Sequence, residues 1–289
     1  MKLRSALIKL HSKLFGRCKC ISDRNFVKTA YFLSFGRLPS LSAPKTFNEH
    51  ICAIKCADET LSYAPYADKY EARSYVAKTV GEQYLNPVLG IYGDPAQIPY
   101  DKLPDRFVLK CTHASGYNII VRDKNELDVD RCNGQLKAWL CQNYYHVGRE
   151  RNYKNIKPRV MVDSYIDHEG ALAEYKIFCF YGKPRLVDVN LFAGGGRKTG
   201  IFTTAWEAVP VTLGYKTCDE LPAKPAQLNE LLSVAAALSK PFPFVRVDLY
   251  LNQGKILFSE LTFTSGGGLV HFKPEKYDRI FGEFFEDKQ

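Results

Sequence analysis

A mixed α+β fold is what the sequence predicts, and three stretches carry the prediction. Residues 65–82, PYADKYEARSYVAKTVGE, follow Pro65 and keep Tyr66, Tyr70, Tyr75 and Val76 near one helical stripe that Gly81 closes. Residues 174–192, EYKIFCFYGKPRLVDVNLF, read as a hairpin turning at Gly182. Residues 244–268, FVRVDLYLNQGKILFSELTFTSGGG, give two more apolar strands around a tight turn. Helices and strands are interleaved, and no internal repeat is evident.

In chain order, residues 1–20 come first. Leu3, Leu7, Leu10, Leu14 and Phe15 recur at helical spacing among Lys2, Arg4, Lys9, Lys13, Arg17 and Lys19. This pattern suits an interfacial helix on an anionic membrane, and it equally suits a helix docked on its own domain. Lys9 interrupts the apolar run, which argues against a secretory leader. No stretch approaches the ~20 apolar residues that span a bilayer. Residues 21–105 read as an N-terminal lobe, ending in a loop-rich connection punctuated by Pro87, Gly90, Gly93, Pro95, Pro99 and Pro104. Then follow a strand at 107–110, a polar turn, a strand at 117–122, a helix at 129–143 and a strand at 159–165. After the 174–192 hairpin come the irregular AGGGRKTG, a helix at 227–239 and the last hairpin.

A chain of 289 residues with 46% hydrophobic content is globular rather than disordered. Its net charge of +9 favours phosphates, anionic sugars or an anionic membrane face. Nine cysteines without repeated CxxC pairs point to a reduced, cytoplasmic setting rather than a disulfide framework. Cys18 and Cys20 with Cys52 and Cys56 lack convincing zinc spacing.

The last hairpin poses the main question, because Arg246, Asp248 and Glu260 interrupt strands that look buried. Val245, Val247, Leu249, Leu257 and Leu261 define a core face. Arg246, Asp248, Glu260 and Thr262 then share the other face, provided the turn holds an odd number of residues, such as Asn252-Gln253-Gly254. Asp248 would sit opposite Phe258 and diagonal to Glu260, at roughly 7–8 Å. Such carboxylates suit Mg²⁺ with phosphate oxygens completing its shell, and an Arg246–Glu260 ion pair on a solvated face is the plainer alternative. Gly266-Gly267-Gly268 follows, letting backbone approach a ligand.

A second group is FVLKCTHASGYNIIV, residues 107–121. Lys110 ends a strand, and Thr112-His113-Ala114-Ser115-Gly116 forms a turn able to fold over phosphates; a hairpin turn with a snorkelling lysine is the alternative. Neither this loop nor GGGRKTG at 194–200 is a Walker A loop.

Taken in order, KTFNEH, ADKYEARSYV, DKLPDRFVLKCTH, NYKNIKPRVMVDSYI, EYKIFCFYGKP, FPFVRVDLY, ELTFTSGGG and FKPEKYDR resemble the TupA-like ATP-grasp family, named for teichuronopeptide biosynthesis. The resemblance implies two α+β lobes clamping ATP behind an N-terminal lobe: a lid subdomain at 106–166 with a phosphate flap, and a core at 167–289 with a Mg²⁺ site. It implies that Lys110 and the flap residues Thr112, His113, Ser115 and Gly116 contact phosphates. Asp163, Ser164 and Ile166 would form the adenine-reading segment, with backbone contacts at Ser164 and Ile166. Asp248 and Glu260 would hold Mg²⁺, and Arg246 and Lys176 would face the reacting groups. Ala114 stands where a flap glycine is expected, and Thr262 where many ATP-grasp enzymes place an asparagine metal ligand.

Implied chemistry is carboxylate activation as an acyl phosphate, then displacement of phosphate by an amine, in capsule or cell-surface polysaccharide synthesis. The expected partners are a small or polymeric carboxylate and an amine, with no nucleic acid, and an anionic membrane at residues 1–19. A nucleotide-sugar glycosyltransferase is the rival, with Asp128-Val129-Asp130 as its DxD motif, although aspartates there also suit a helix start. A basic protein that only holds anionic polymer leaves the carboxylate pair unexplained.

Overall fold

The computed structural model describes residues 2–168, 172–193, 196–214 and 221–287. Helices come first. On α1 (Lys2–Phe15), His11 is buried against the Phe26 ring of α2 (Asp23–Phe35), 4.4 Å between centroids, and Arg4 Nη1 donates to the Ser34 carbonyl at 2.9 Å. Leu7, Leu10 and Leu14 stay exposed beside this docked face. A Thr46–Glu49 capping box starts α3 (Phe47–Cys56). The expected helix at 65–82 is split into α4 (Ala64–Ala67) and α5 (Ala72–Thr79). Asp68 causes the break: its Oδ1 accepts the backbone N–H groups of Tyr70 and Glu71 at 2.8 and 3.0 Å, a local bond that competes with helix.

An antiparallel sheet follows, made of β1 (Val88–Tyr92), β2 (Phe107–Cys111), β3 (Asn118–Val121) and β4 (Val160–Ser164), in the order β1-β4-β2-β3. Cys132 and Leu136 of α6 (Val129–Leu140) bury against its Phe107, Leu109, Val121, Val160 and Val162. The short α7 (Tyr145–Gly148) leads towards β4. Since β1 pairs with β4, Val88 opposite Asp163, the sheet formed by residues 106–166 takes in a strand upstream of the expected boundary at 106. Pro87 and Gly93, read as loop punctuation, bracket that strand.

A second antiparallel sheet, in the order β10-β9-β5-β6-β7, uses β5 (Leu172–Phe180), β6 (Lys183–Ala193), β7 (Gly196–Thr203), β9 (Phe244–Asn252) and β10 (Lys255–Thr262). Gly196 to Gly200, expected to be irregular, belong to β7, and residues 194–195 lie outside the described residues. The small pair β8 (Thr212–Leu213) and β11 (Phe272–Lys273) lies apart. One face of the large sheet packs Ile177, Val187, Val245, Val247 and Leu249 against Leu231, Val234, Ala235 and Leu238 of α8 (Leu228–Ser239).

The opposite face changes character along each strand. Near the Tyr181–Gly182 turn, Phe178, Phe180 and Phe244 pack against Phe47 of α3 and Phe281 of α9 (Lys276–Glu283). Further along the same face β5 carries Lys176 and Glu174, and β9 carries Arg246 and Asp248, because alternate residues share a face. The charged stretch begins where the aromatic cover ends.

Candidate active site

Asp248 and Glu260 are brought together by an irregularity. The β9–β10 turn has two residues, Gln253 and Gly254, at φ 50° and 81°, and not the odd number expected; such two-residue turns match the twist of the strands. Unbroken pairing from that turn would set Ser259 opposite Asp248 and bury Glu260 opposite Val247. A β-bulge between Phe258 and Glu260 prevents this, leaving Glu260 opposite Asp248 and Thr262 opposite Arg246. Leu257, expected in the core, pairs with Tyr250 on the other face, and Ile256 and Phe258 take the core positions.

The charges on this face form one network. Asp248 is wholly buried and chelated by Arg246, whose Nε and Nη2 donate to its Oδ1 and Oδ2 at 2.7 and 2.6 Å. Arg246 also donates to the Thr262 and Ser265 hydroxyls, both at 3.1 Å, and Thr262 donates to Glu260 Oε1 at 2.9 Å. Lys176 Nζ lies 3.2 Å from Glu174 and 3.7 Å from Asp248. Lys69 Nζ lies 3.2 Å from Glu260 and donates to the Ala114 carbonyl at 2.9 Å, joining the two sheets.

Burial pushes the Glu260 carboxyl up, but the ammonium of Lys69 and the guanidinium of Arg246 outweigh it and hold its pKa at about 2. Burial also works against the charges of Lys176 and Arg246, and Asp248 more than offsets it, so both stay above their ordinary values. Glu174 goes the other way: burial and then the Asp248 charge raise it.

Facing this network across the cleft, Lys110 Nζ lies 2.5 Å from Asp163, whose other oxygen accepts a hydrogen bond from Asn86 at 2.8 Å. A cavity of about 330 Å³ between the sheets is lined by Lys110, Ile120, Ser164, Ile166, Glu174 and Tyr250. The adjoining polar cavity meets Lys69, Ser115, Gly116, Asp163, Lys176 and Glu260. Thr112 and His113 stand elsewhere. Both are buried: the Thr112 hydroxyl donates to Asp68 at 3.1 Å, and His113 Nε2 lies 3.2 Å from the Trp139 carbonyl. They anchor the loop, and its exposed Ser115–Gly116 tip reaches the cleft. Ser164 spends its N–H on the Pro87 carbonyl and its carbonyl on Asn86, whereas the Ile166 backbone makes no hydrogen bond to another described residue.

Among the described residues, no group of three or more His, Cys, Asp or Glu is placed to hold a metal. Two adjacent carboxylates with a hydroxyl form an all-oxygen donor set that fits Mg²⁺ when phosphate oxygens complete its shell. The eight described cysteines are free. Asp128 caps α6 by accepting the Arg131 N–H at 2.9 Å, as the helix-start reading expects.

The family model for TupA-like ATPgrasp matches residues 49–286. The chain belongs to that family. Its fold is ATP-grasp, in the α+β class that the sequence predicts. No curated protein matches this TupA-like chain. Similar solved structures include D-alanine–D-alanine ligase from Bacillus anthracis complexed with ATP, at 18% identity over 69% of this chain and 55% of that one, TM-score 0.42. L-amino acid ligase from Bacillus licheniformis is 15% identical over 91% and 61%, TM-score 0.49. N5-carboxyaminoimidazole synthetase from Staphylococcus aureus is 9% identical over 68% and 44%, TM-score 0.41. The TupA-like chain thus spans about half the length of the structures it matches.

Sequence reasoning missed Lys69, Asn86, Glu174 and Tyr250 in this cleft. Glu174 was within reach, because it precedes Lys176 by two residues on one strand. Lys69 had no local signal, since its partner Glu260 lies 191 residues away.

Proposed function

We propose that the protein is an ATP-dependent carboxylate–amine ligase that activates a sugar-acid or amino-acid carboxylate as an acyl phosphate and couples it to an amine, in capsule or cell-surface polysaccharide synthesis. The apposition of Asp248 and Glu260 by the bulge, inside a cleft between two sheets, carries this reading. Lys110 and the Ser115–Gly116 tip hold the phosphates, and the 164–166 segment meets the adenine, with Ile166 offering its free backbone edge. Asp248, Glu260 and Thr262 would hold Mg²⁺, which when bound neutralises phosphate charge. Arg246 and Lys176 orient the substrate carboxylate and offset the charge that grows as its oxygen bonds to the γ-phosphorus and ADP leaves. Closure of the cleft excludes water from the acyl phosphate.

The test is a trapping reaction. Enzyme, ATP, Mg²⁺, a panel of uronic and amino acids and hydroxylamine should yield a hydroxamate with one ADP for each product. Sugar transfer from a nucleotide sugar without ATP, and no hydroxamate from any acid, would favour the glycosyltransferase instead. Asp128 as a helix cap gives that rival no support.

The finer localisation we propose is cytoplasmic and peripheral, at the inner membrane face. The exposed Leu7, Leu10 and Leu14 lie among exposed Arg4, Lys9 and Lys13, a combination that favours an anionic bilayer surface. Replacing the three leucines by serine should reduce co-sedimentation with phosphatidylglycerol vesicles, and undiminished binding would refute the contact.

A further inference from the structure

Beside the nucleotide cleft lies another cavity of about 300 Å³, which shares Ser115 and Glu260 with it and is also lined by Lys55, Glu150, Arg246 and Gly267. Lys55, in the last turn of α3, is 3% exposed. Its Nζ donates to the Gly267 carbonyl at 2.9 Å and has no carboxylate within ion-pair distance among the described residues. A buried ammonium without a counter-charge is costly, and the C-terminal end of α3 offsets only part of that cost. Two of its N–H groups remain for a ligand.

Glu150 carries the complementary charge. Its Oε2 accepts a hydrogen bond from the buried Thr264 hydroxyl, and it too has no ion-pair partner among the described residues. Gly148 leaves it room, since a Cβ there would come within 2.6 Å of Glu150 Oε1. Arg246 and Glu260 are already committed to Asp248, Lys69 and each other. The cavity therefore presents one uncommitted cation and one uncommitted anion that do not pair with each other.

We propose that this cavity binds the amine substrate as a zwitterionic amino acid, its carboxylate on Lys55 and its ammonium on Glu150. This rests on the ligase reading and deepens it, because an amino alcohol would leave Lys55 without a counter-charge. In the coupling step the ammonium gives a proton to the Glu150 carboxylate, and the freed nitrogen bonds to the acyl carbon. The bond from that carbon to the phosphate oxygen breaks, phosphate departs with the electron pair, and it takes the second proton from the nitrogen, leaving the neutral amide.

The experiment uses the full chain with ATP, Mg²⁺ and a carboxylate that gives hydroxamate with hydroxylamine. Glycine, L-alanine and D-alanine are then compared as acceptors with ethanolamine, L-alaninol and D-alaninol. The amino acids should be preferred. Lys55→Met should lower the ratio of kcat/KM for each amino acid over its amino alcohol on the order of tenfold or more, as loss of a charged hydrogen bond implies, and Lys55→Arg should recover part of it. Glu150→Gln should raise the KM for the amine and move the acid limb of the coupling pH profile. If no acid gives hydroxamate, the ligase reading fails and this inference falls with it. Hydroxamate formation without a wild-type preference for amino acids, or a preference that survives in Lys55→Met, overturns the inference alone; the wild-type comparison decides if the variant does not fold.

Discussion

Asp23 is nearly buried, yet it stays charged because its neighbours supply three donors. The Tyr145 hydroxyl donates at 2.5 Å, Arg151 Nε at 2.8 Å and Arg149 Nη1 at 2.9 Å. Burial alone would push its carboxyl up, but these bonds outweigh burial and bring it below 3.8. Because the folded value is the lower one, the stabilisation is complete above about pH 4 and is lost as pH falls through the depressed folded value. Asp23→Asn should cost about 3–5 kcal/mol at pH 7, since it leaves buried arginine charge uncompensated. Urea melts at pH 7 and pH 3 should show the gap to wild type narrowing in acid, and an equal gap at both would contradict the assignment. Lys110 illustrates a different economy of charge, paired with Asp163 at the edge of the cleft. Lys110→Met should weaken ATP binding by about ten- to a hundredfold, the range for a charge-assisted hydrogen bond, and calorimetry giving wild-type affinity would remove it from the phosphate site.

Among the elements, two glycine loops border the site and tolerate change differently. Gly116 sits at φ 75° with nothing within 4 Å of an added Cβ, so Gly116→Ala should cost only about 1–2 kcal/mol of backbone strain. Gly268 sits at φ 71° against α3, where a Cβ would meet Cys52 Sγ at 2.7 Å and the Asn48 carbonyl at 3.0 Å. Gly268→Ala should therefore destabilise clearly more than Gly116→Ala in thermal melts, and equal losses would show that the α3 contact yields freely. This contrast is invisible in the sequence, where both are glycines in polar turns. Alternation made the shared face of Arg246 and Asp248 legible, since period two along one strand needs no long-range information, but it could not show that Lys176 and Glu174 of β5 join them. The bulge after Phe258 and the pairing of β1 with β4 were not legible, because each depends on pairing between separate strands, whereas the break at Asp68 is local and was masked by the helical stripe around it. Lys55 and Lys69 escaped because Gly267 and Glu260, which they reach, lie more than 150 residues along the chain.

Across the whole molecule, the charged groups of the cleft neutralise one another within each sheet, and Lys69 bridges the flap of one sheet to a carboxylate of the other. Lys110 is paired with Asp163, Arg246 with Asp248, and Lys69 with both Glu260 and the Ala114 carbonyl of the flap. An entering phosphate must take cations away from carboxylates, and an entering divalent ion must take carboxylates away from cations. At Asp248 and Glu260, either ligand alone strands half of the pairs with Arg246 and Lys69, whereas both together match these four charges again. The self-neutralising cleft therefore implies thermodynamic reciprocity: Mg²⁺ should tighten ATP by the same factor by which ATP tightens Mg²⁺, within the usual range of about 5–150-fold. Titrating ATP with Mg²⁺ and then with EDTA measures that factor, and identical affinities would show that the pairs stay intact when nucleotide binds. Lys69, touching both flap and Glu260, ties loop and carboxylate to one cation, so the protein's own side chains supply the charges that its ligands would bring.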